Sequence, residues 1–497
     1  MAPATDLGLI AALRADLRAA EFTVERLDAI LGPVAGAALA REQVIPAELL
    51  TRGSRDPAAI LVRLFTLGDP VDTELVDLAL PTLTAAGVER LGLGRFEGDA
   101  IVANVDVRPY GDEQHTWWVA SDLSELATRA PLEPDHVLGI GGASATLAAW
   151  TPRPRIGRAL DLGTGCGVQA LHLATHCAHV VATDTSRRAL EFAAFNAALN
   201  EQDWELRRGS LLEPVAGERF DLIVSNPPFV ITPRDHGLPT YEYRDGGAHG
   251  DAVVEQLIAG VGDHLAPGGI ACLLGNWEIP AGQDWTNRVG GWARAAGVDV
   301  WIIQRESQDP AQYAETWARD GGHHPASAEY ARMYAAWLAD FAAREVAAIG
   351  FGIVTLHRPL TDREPVIDLQ EVRGPVEAAL GATVAAGIAA RALLAEHTDD
   401  EILALPWRVG DDVTIERHYR PGEADPRAIQ LRQGGGLRHT EALGTEAAAL
   451  LSVCDGELTA AAAITAIAAI LGEPEHELRT ALLPVLRGWI AAGVVHA

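Results

Sequence analysis

Two periodicities divide this chain. From about 136 to 359, short apolar runs alternate with amphipathic stretches. "RALDLG", "HVVATD", "WELRRG", "FDLIVSN", "GIACLLGN", "VDVWIIQRE" and "AAIGFGIVTLHRP" read as strands. Between them, "GVQALHLATH", "SRRALEFAAFNAALN", "GDAVVEQLIAGVGDHL" and "DWTNRVGGWARAAG" repeat apolar residues at helical spacing. Strand alternating with helix predicts a parallel sheet covered on both faces. A long helical insertion, residues 310 to 346, separates the last two strands.

The flanks have another texture. In residues 1 to 135, Ile10, Leu13 and Leu17 share one helical face, and "AAILVRLFTLG" and "TELVDLALPTLTAAGV" continue the pattern. "DAIVANVDVRPYG" then alternates like a strand, with "QHTWWVASD" as its partner. Helices followed by a hairpin suggest a winged-helix-like module. In residues 360 to 497, "DVTIERHY" and "AIQLRQ" read as strands, followed by the helical stretches "EALGTEAAALLSVC", "LTAAAAITAIAAIL" and "EHELRTALLPVLRGWIAAGVV". The phrase "LLPVLRGWIAAGVV" echoes "LALPTLTAAGV", so the flanks read as related modules, against chance similarity between alanine-rich helices. The expected fold class is α/β: a doubly wound, seven-stranded core at 136–359 between two mainly helical, winged-helix-like domains at 1–135 and 360–497.

Composition adds limits. The 497 residues suit about three domains of roughly 150 residues each. Cys166, Cys177, Cys272 and Cys454 form no CxxC pair or metal-ligand spacing, which fits reduced thiols in a cytoplasmic protein. The start, "MAPATDLGLI", lacks a basic region followed by an apolar core, so no signal peptide is expected. No apolar run reaches the ~20 residues that span a bilayer. Net charge is −29, and all 39 basic residues are arginine. Proteins that track a phosphate backbone carry a broad basic surface. Nucleic-acid contact here would need a local arginine patch.

The chemistry gathers at two turns. "ALDLGTGCGVQALHLA" begins as a buried strand and ends as a helix, with Gly163, Gly165 and Gly167 at the turn. Glycine is required where backbone turns tightly or approaches a ligand. Asp184 ends the next strand, where a carboxylate meets ribose hydroxyls. A nicotinamide-dinucleotide site is one rival: Gly165, Gly167 and Ala170 fit G-x-G-x-x-A, with Asp184 about 20 residues on. Against it, Asp161 precedes the first glycine, giving D-x-G-x-G-x-G. The fourth strand also ends in "SNPPFV". Proline cannot donate to a sheet ladder, so that strand stops at Asn226, on the edge where open α/β sheets bind ligands.

On "LDLGTGCGVQALHLA", "VVATD", "FDLIVSNPPFV", "YEYRDGGAHGD" and "LAPGGIACLLGNWE", residues 138 to 278, the chain resembles class I S-adenosylmethionine-dependent methyltransferases of the methyltransferase small domain branch. That branch includes release-factor glutamine methyltransferases and base N-methyltransferases of ribosomal RNA. The resemblance implies methyl transfer to a planar nitrogen, a carboxamide or a base amine. It implies no metal. Asn226 and the Pro227 carbonyl would accept the two hydrogens of the target NH2, and Phe229 would stack on its flat face. Gly163, Gly165 and Gly167 would pass beside the methionine moiety, with Asp161 near its amino group and Asp184 on the ribose. Where the family usually has an aspartate facing adenine, this chain has Ser210, followed by Leu211. "LGIGGASATLAAW", residues 138 to 150, would cover the methionine end; its rival reading is a flexible linker.

After Phe229 comes a stretch long enough for a lid. Arg244 and Asp245 are expected to order it, with Tyr241 or Tyr243 beside the substrate and Arg234 within reach. His323 and His324 read as loop residues, Cys166 as a small buried residue, Trp117 and Trp118 as core, and Thr459 as a helix N-cap after a turn in "CDGELT". The partner expectation leans to RNA, ribosomal or transfer, because two accessory modules suit a large structured target. Protein glutamine is the alternative, and a non-catalytic nucleic-acid-binding scaffold is a further alternative of another class. Binding of S-adenosylmethionine separates the enzyme from the scaffold, and NAD titration separates it from a dehydrogenase.

Overall fold

The apolar runs of the central block become seven strands in the computed structural model. The structure describes every residue except 1, 42, 129, 235–237, 239, 321, 322 and 324. In chain order the core elements are β1 (Ile156–Leu162), α1 (Val168–Ala174), β2 (Cys177–Asp184), α2 (Arg187–Leu199), β3 (Glu205–Arg208), β4 (Phe220–Ser225), α3 (Ala252–Val261), β5 (Leu265–Pro280), α4 (Trp285–Ala295), β6 (Asp299–Gln308), α5 (Pro310–Asp320), α6 (Ala328–Ala343) and β7 (Val346–His357). The strands lie in the order β3-β2-β1-β4-β5-β7-β6. The pairs β1–β2, β2–β3, β1–β4 and β4–β5 are parallel, and β5–β7 is antiparallel. Ala159–Leu162 and Leu222–Ser225 are buried throughout, as strands covered on both faces must be. The chain winds outward from β1 to β3, then returns beside β1 as β4. The crevice beyond the ends of β1 and β4 is the place where such sheets bind ligands.

The chain divides into two compact units. One comprises Met1–Ala148, Pro154–Gly297 and Ile302–Arg358; the other comprises Ala149–Arg153, Val298–Trp301 and Pro359–Ala497. The amino-terminal block therefore packs with the core. Arg14, on the helix Leu7–Ala19, donates to the carbonyls of Leu199 (3.0 Å) and Ala198 (3.0 Å), capping the end of α2. Asn196 of α2 donates to the carbonyls of Ala120 (2.8 Å) and Cys166 (2.7 Å) and accepts from the Ala120 N–H (2.8 Å).

The expected strand "DAIVANVDVRPYG" divides in two at Asn104. Val105–Gly111 pairs with Thr116–Asp122, as the sequence suggests. Ala100–Ala103 instead pairs with Gly94–Glu97 and with the short strand Val71–Asp72. The last strand of the three thus takes the middle of this sheet, after helices Thr73–Ala79 and Thr84–Arg90. Trp117 and Trp118 are core residues, and the Trp118 indole donates to the Phe22 carbonyl at 2.7 Å.

The second unit has a similar run of helices and strands, but its middle strand comes first in the chain instead of last. Helix Thr445–Ser452, strand Asp455–Thr459, helices Ala460–Leu471 and Glu475–Ala492, and strand Val495–His496 follow in sequence, with Pro406–Val409 as the middle strand. The sequence echo is out of step with this topology. Gly493 (φ 72°) ends its helix as Gly92 (φ 74°) ends the helix of the first module, whereas the echoed glycine of the first block is Gly87, inside a helix. The expected helix "EALGTEAAALLSVC" begins instead as a strand, Thr440–Leu443, and Gly444 starts the helix proper. Thr459 is the expected N-cap, accepting from the Ala462 N–H at 3.2 Å, but "CDGELT" otherwise forms a strand. No helix among the described residues is long and apolar enough to cross a membrane.

Candidate functional site

The glycine turn after β1 forms because the end of β2 grips it. The Thr183 carbonyl accepts from the N–H groups of Gly163 (2.9 Å) and Thr164 (2.8 Å), and the Asp184 carboxylate accepts from Gly165 N–H (2.9 Å). Gly163, Gly165 and Gly167 all have left-handed backbone, at φ 76°, 55° and 93°. They do different work. A Cβ at Gly163 or Gly165 would meet nothing within 4 Å, and both line a cavity of about 550 Å³. A Cβ at Gly167 would strike the Trp204 ring at 2.6 Å, and Gly167 is not part of the cavity wall. The third glycine serves packing, which its spacing alone does not reveal.

Asp161 also sits behind the wall. One carboxylate oxygen accepts from the Thr164 hydroxyl (2.6 Å) and the Ala170 N–H (3.0 Å). The other is buried with no partner among the described residues. Burial pushes this carboxyl up to about 7. Asp184, Ser210 and Leu211 line the cavity as expected, with Leu211 at φ 46°. Burial raises the Asp184 carboxyl despite hydrogen bonds from Ser186 and Gly165. Leu138, Gly139 and Ser144 bring the segment before β1 over the cavity, and the Gln169 amide holds Ser144 by its carbonyl at 2.8 Å.

Opposite the glycines stands the loop after β4. The Ser225 hydroxyl donates to the Leu162 carbonyl at 2.7 Å, tying the ends of β4 and β1 together. Asn226, Pro227 and Pro228 then form cavity wall. The Asn226 side chain and the Pro227 carbonyl have no hydrogen-bond partner among the described residues. Two acceptors are thus free at adjacent positions. Phe229 departs from its expected place. It bridges to Asp245, packs edge to face on Trp317 with ring centres 6.2 Å apart, and is absent from the cavity wall. The ring packs instead against the apolar cluster that α5 and α6 build.

The lid follows the expectation in part. Arg244 is buried beneath the Tyr241 ring (4.5 Å) and donates to the Trp317 carbonyl (2.9 Å) and Asp320 (2.7 Å). Its own carbonyl accepts from Val230 N–H at 2.9 Å. Asp245 accepts from Tyr241 N–H (2.6 Å) and from the Thr232 hydroxyl. These two residues tie down the stretch after Phe229. Tyr243 lines the cavity and its hydroxyl donates to Asp320 at 2.7 Å, whereas Tyr241 is buried beside Arg244 away from the wall. Arg234 donates to the Ala248 carbonyl at 3.1 Å, within the lid. Of the histidine pair, His323 lies 3.4 Å from the Tyr241 hydroxyl and His324 falls outside the described residues. No group of three His, Cys, Asp or Glu residues among those described could hold a metal.

The sequence reading passed over two wall residues. His136 is 7% exposed and its ring makes no hydrogen bond among the described residues. It lies 5.8 Å from the Tyr243 ring and 3.8 Å from the Asp122 carboxylate, which Arg188 already pairs. Burial lowers its pKa, so the imidazole is neutral at neutral pH. Glu242 joins the same seam, its N–H donating to the Pro134 carbonyl at 2.9 Å. Neither stands at a motif spacing, and only the three-dimensional meeting of the lid with residues 134–139 identifies them.

Residues 139–296 match the family model described as methyltransferase small domain, and residues 19–104 match one described as a domain of unknown function. The release factor glutamine methyltransferase of Xylella fastidiosa (strain Temecula1) is 40% identical over 131 residues, 24% of this chain and 47% of its own length. The ribosomal protein uL3 glutamine methyltransferase of Bradyrhizobium diazoefficiens is 38% identical over 130 residues, 24% of this chain and 40% of its own length. The chain thus spans less than half the length of these two relatives. A solved T. thermophilus 16S rRNA N2 methyltransferase, in complex with AdoMet and guanosine, covers 46% of this chain and 62% of its own at 19% identity, with a TM-score of 0.26, too low to bear on substrate. The methyltransferase resemblance read from the sequence is borne out for this central segment.

Proposed function

We propose that this chain methylates the side-chain carboxamide nitrogen of a glutamine in a protein, using S-adenosylmethionine. One observation carries methyl transfer to a planar NH2: two unpartnered acceptors, the Asn226 amide oxygen and the Pro227 carbonyl, share a cavity wall with the Gly163–Gly165 turn. The residues present fit the cofactor. Gly163 and Gly165 leave open the space that side chains would fill, Asp184 offers a carboxylate for ribose hydroxyls, and the orphaned Asp161 oxygen is an acceptor near the turn. Ser210 and Leu211 would face adenine, with His136 and Tyr243 closing the other side. When bound, the cofactor supplies an electrophilic methyl group on a sulfonium.

The protein's task is then to make a poor nucleophile attack. A carboxamide nitrogen shares its lone pair with its carbonyl. Accepting both of its hydrogens returns electron density to nitrogen as the new bond forms, an interaction stronger in the transition state than in the ground state. A correctly placed partner of this kind is worth on the order of 100- to 1000-fold in rate. Two prolines fix the loop, and the lid and residues 134–139 exclude water.

The sequence lean toward RNA rested on the winged-helix-like modules. In the first module, Arg95 is paired with Glu97 (2.6 Å) and Arg90 lies 3.7 Å from Asp6, and the net charge of −29 weighs against a surface that tracks phosphates. The matched relatives named as glutamine methyltransferases support the protein reading. The test is to incubate the full chain with methyl-labelled cofactor and extract from a strain lacking the gene. Label released by protease and resistant to nuclease is expected. Nuclease-sensitive label would return the assignment to RNA.

A further inference from the structure

The segment between β6 and β7 lies beyond the residues that match the family model and contributes no side chain to the cavity wall. It nonetheless holds both loops that do. Just beyond Phe229, the Ile231 N–H donates to the Tyr313 hydroxyl at 2.8 Å, and the Ile231 carbonyl accepts from the Trp337 indole N–H at 2.7 Å. Tyr313 and Trp337 are fully buried. The Tyr313 hydroxyl also accepts from the Asn276 amide of β5 at 2.8 Å, so the clamp is anchored to the sheet. At the end of α5, Asp320 accepts from Tyr243, a wall residue, and from Arg244 beneath it. The Trp317 ring meets Phe229.

We infer that α5 and α6 are a positioning module for the methyl acceptor. Tyr313 and Trp337 fix the loop that carries Asn226 and Pro227, and Asp320 fixes the Tyr243 wall against which the acceptor's chain must lie. This rests on the reading above, that those two acceptors hold the target NH2. Among the described residues, the loop has no ladder of its own after β4 apart from the Phe229–Asp245 bridge. Its geometry must therefore come from outside, and a displacement of about 1 Å in a reacting pair can cost 100-fold in rate.

The experiment uses the full chain, labelled cofactor and the protein fraction of extract from a strain lacking the gene. Tyr313→Phe keeps the ring and removes the acceptor for Ile231 N–H. Its maximal rate is expected to fall about tenfold, with S-adenosylhomocysteine affinity by calorimetry within about twofold of the parent. Trp337→Phe should behave alike and guards against a local folding defect in the first variant. Asp320→Ala, at a more exposed site, should raise the half-saturating extract concentration about tenfold with little change in maximal rate. Asp320→Asn keeps an acceptor for Tyr243 and should recover most of the loss. Parental kinetics in Tyr313→Phe and Asp320→Ala would overturn the inference, as would a parallel loss of cofactor affinity and rate, the sign of general structural damage. A parent chain that binds S-adenosylhomocysteine yet labels nothing overturns the methyl-transfer reading, and this one with it.

Discussion

Gly163 and Gly167 share a left-handed backbone and differ in what a methyl group would meet. Gly163→Ala adds a Cβ in open cavity, so its stability cost should be only the ~1 kcal/mol of a strained φ, while S-adenosylhomocysteine binding weakens at least tenfold. Gly167→Ala drives a Cβ into Trp204 and should cost at least about 2 kcal/mol. Urea unfolding and calorimetry separate the two, and the reverse pattern would refute the assignment. Asp161 gives a pH test. Its folded pKa, about 7, lies above the ordinary carboxylate value. The folded state therefore binds the proton more tightly. That contribution is complete below about pH 4 and is lost as pH rises through about 7. Relative to Asp161→Asn, the parent should lose stability between about pH 5 and pH 8, read from urea midpoints. At this scale the sequence was most legible, because Asn226, Asp184 and the first two glycines sit at fixed spacings. Phe229 and Gly167 were not, since motif letters do not say which neighbour a side chain turns to.

The seven strands and their helices were plain from buried apolar runs, and long periodic stretches leave few alternatives. Where the reading slipped, one residue redirected the chain. Asn104 divides one apparent strand between two partners, and Gly444 turns the start of an apparent helix into an edge strand. Asn196 shows a second limit. On paper it is one more polar residue in "EFAAFNAALN"; in the fold it is fully buried and joins α2 to the strand Thr116–Asp122 and to the glycine turn. Asn196→Ala would strand three buried backbone groups and should cost about 3 kcal/mol or more. A urea midpoint close to the parent's would show that water replaces those bonds. The lid's anchorage to α5 and α6 was also hidden, because Arg244 and Asp320 are far apart in sequence and carry no joint signature.

For the whole molecule, composition spoke to chemistry more than to shape. The four cysteines are free and buried, and burial pushes the Cys166 and Cys177 thiols up to about 12 and Cys454 up to about 11. The native protein should resist thiol reagents near pH 8 and react fully only in denaturant; rapid native labelling would contradict that burial. A net charge of −29 suits a protein-directed site better than one that must approach phosphate. The two flanking sheets share a run of helices and strands but take their middle strand from opposite ends of it, and the sequence echo is offset from both. The central claim concerns two acceptors on one wall. Its most direct measurement compares Asn226→Ala with the parent, by initial rate of label transfer and by S-adenosylhomocysteine calorimetry. The account predicts a rate lower by on the order of 100-fold or more, with ligand affinity nearly unchanged. A variant that binds the ligand and works at the parental rate would contradict it.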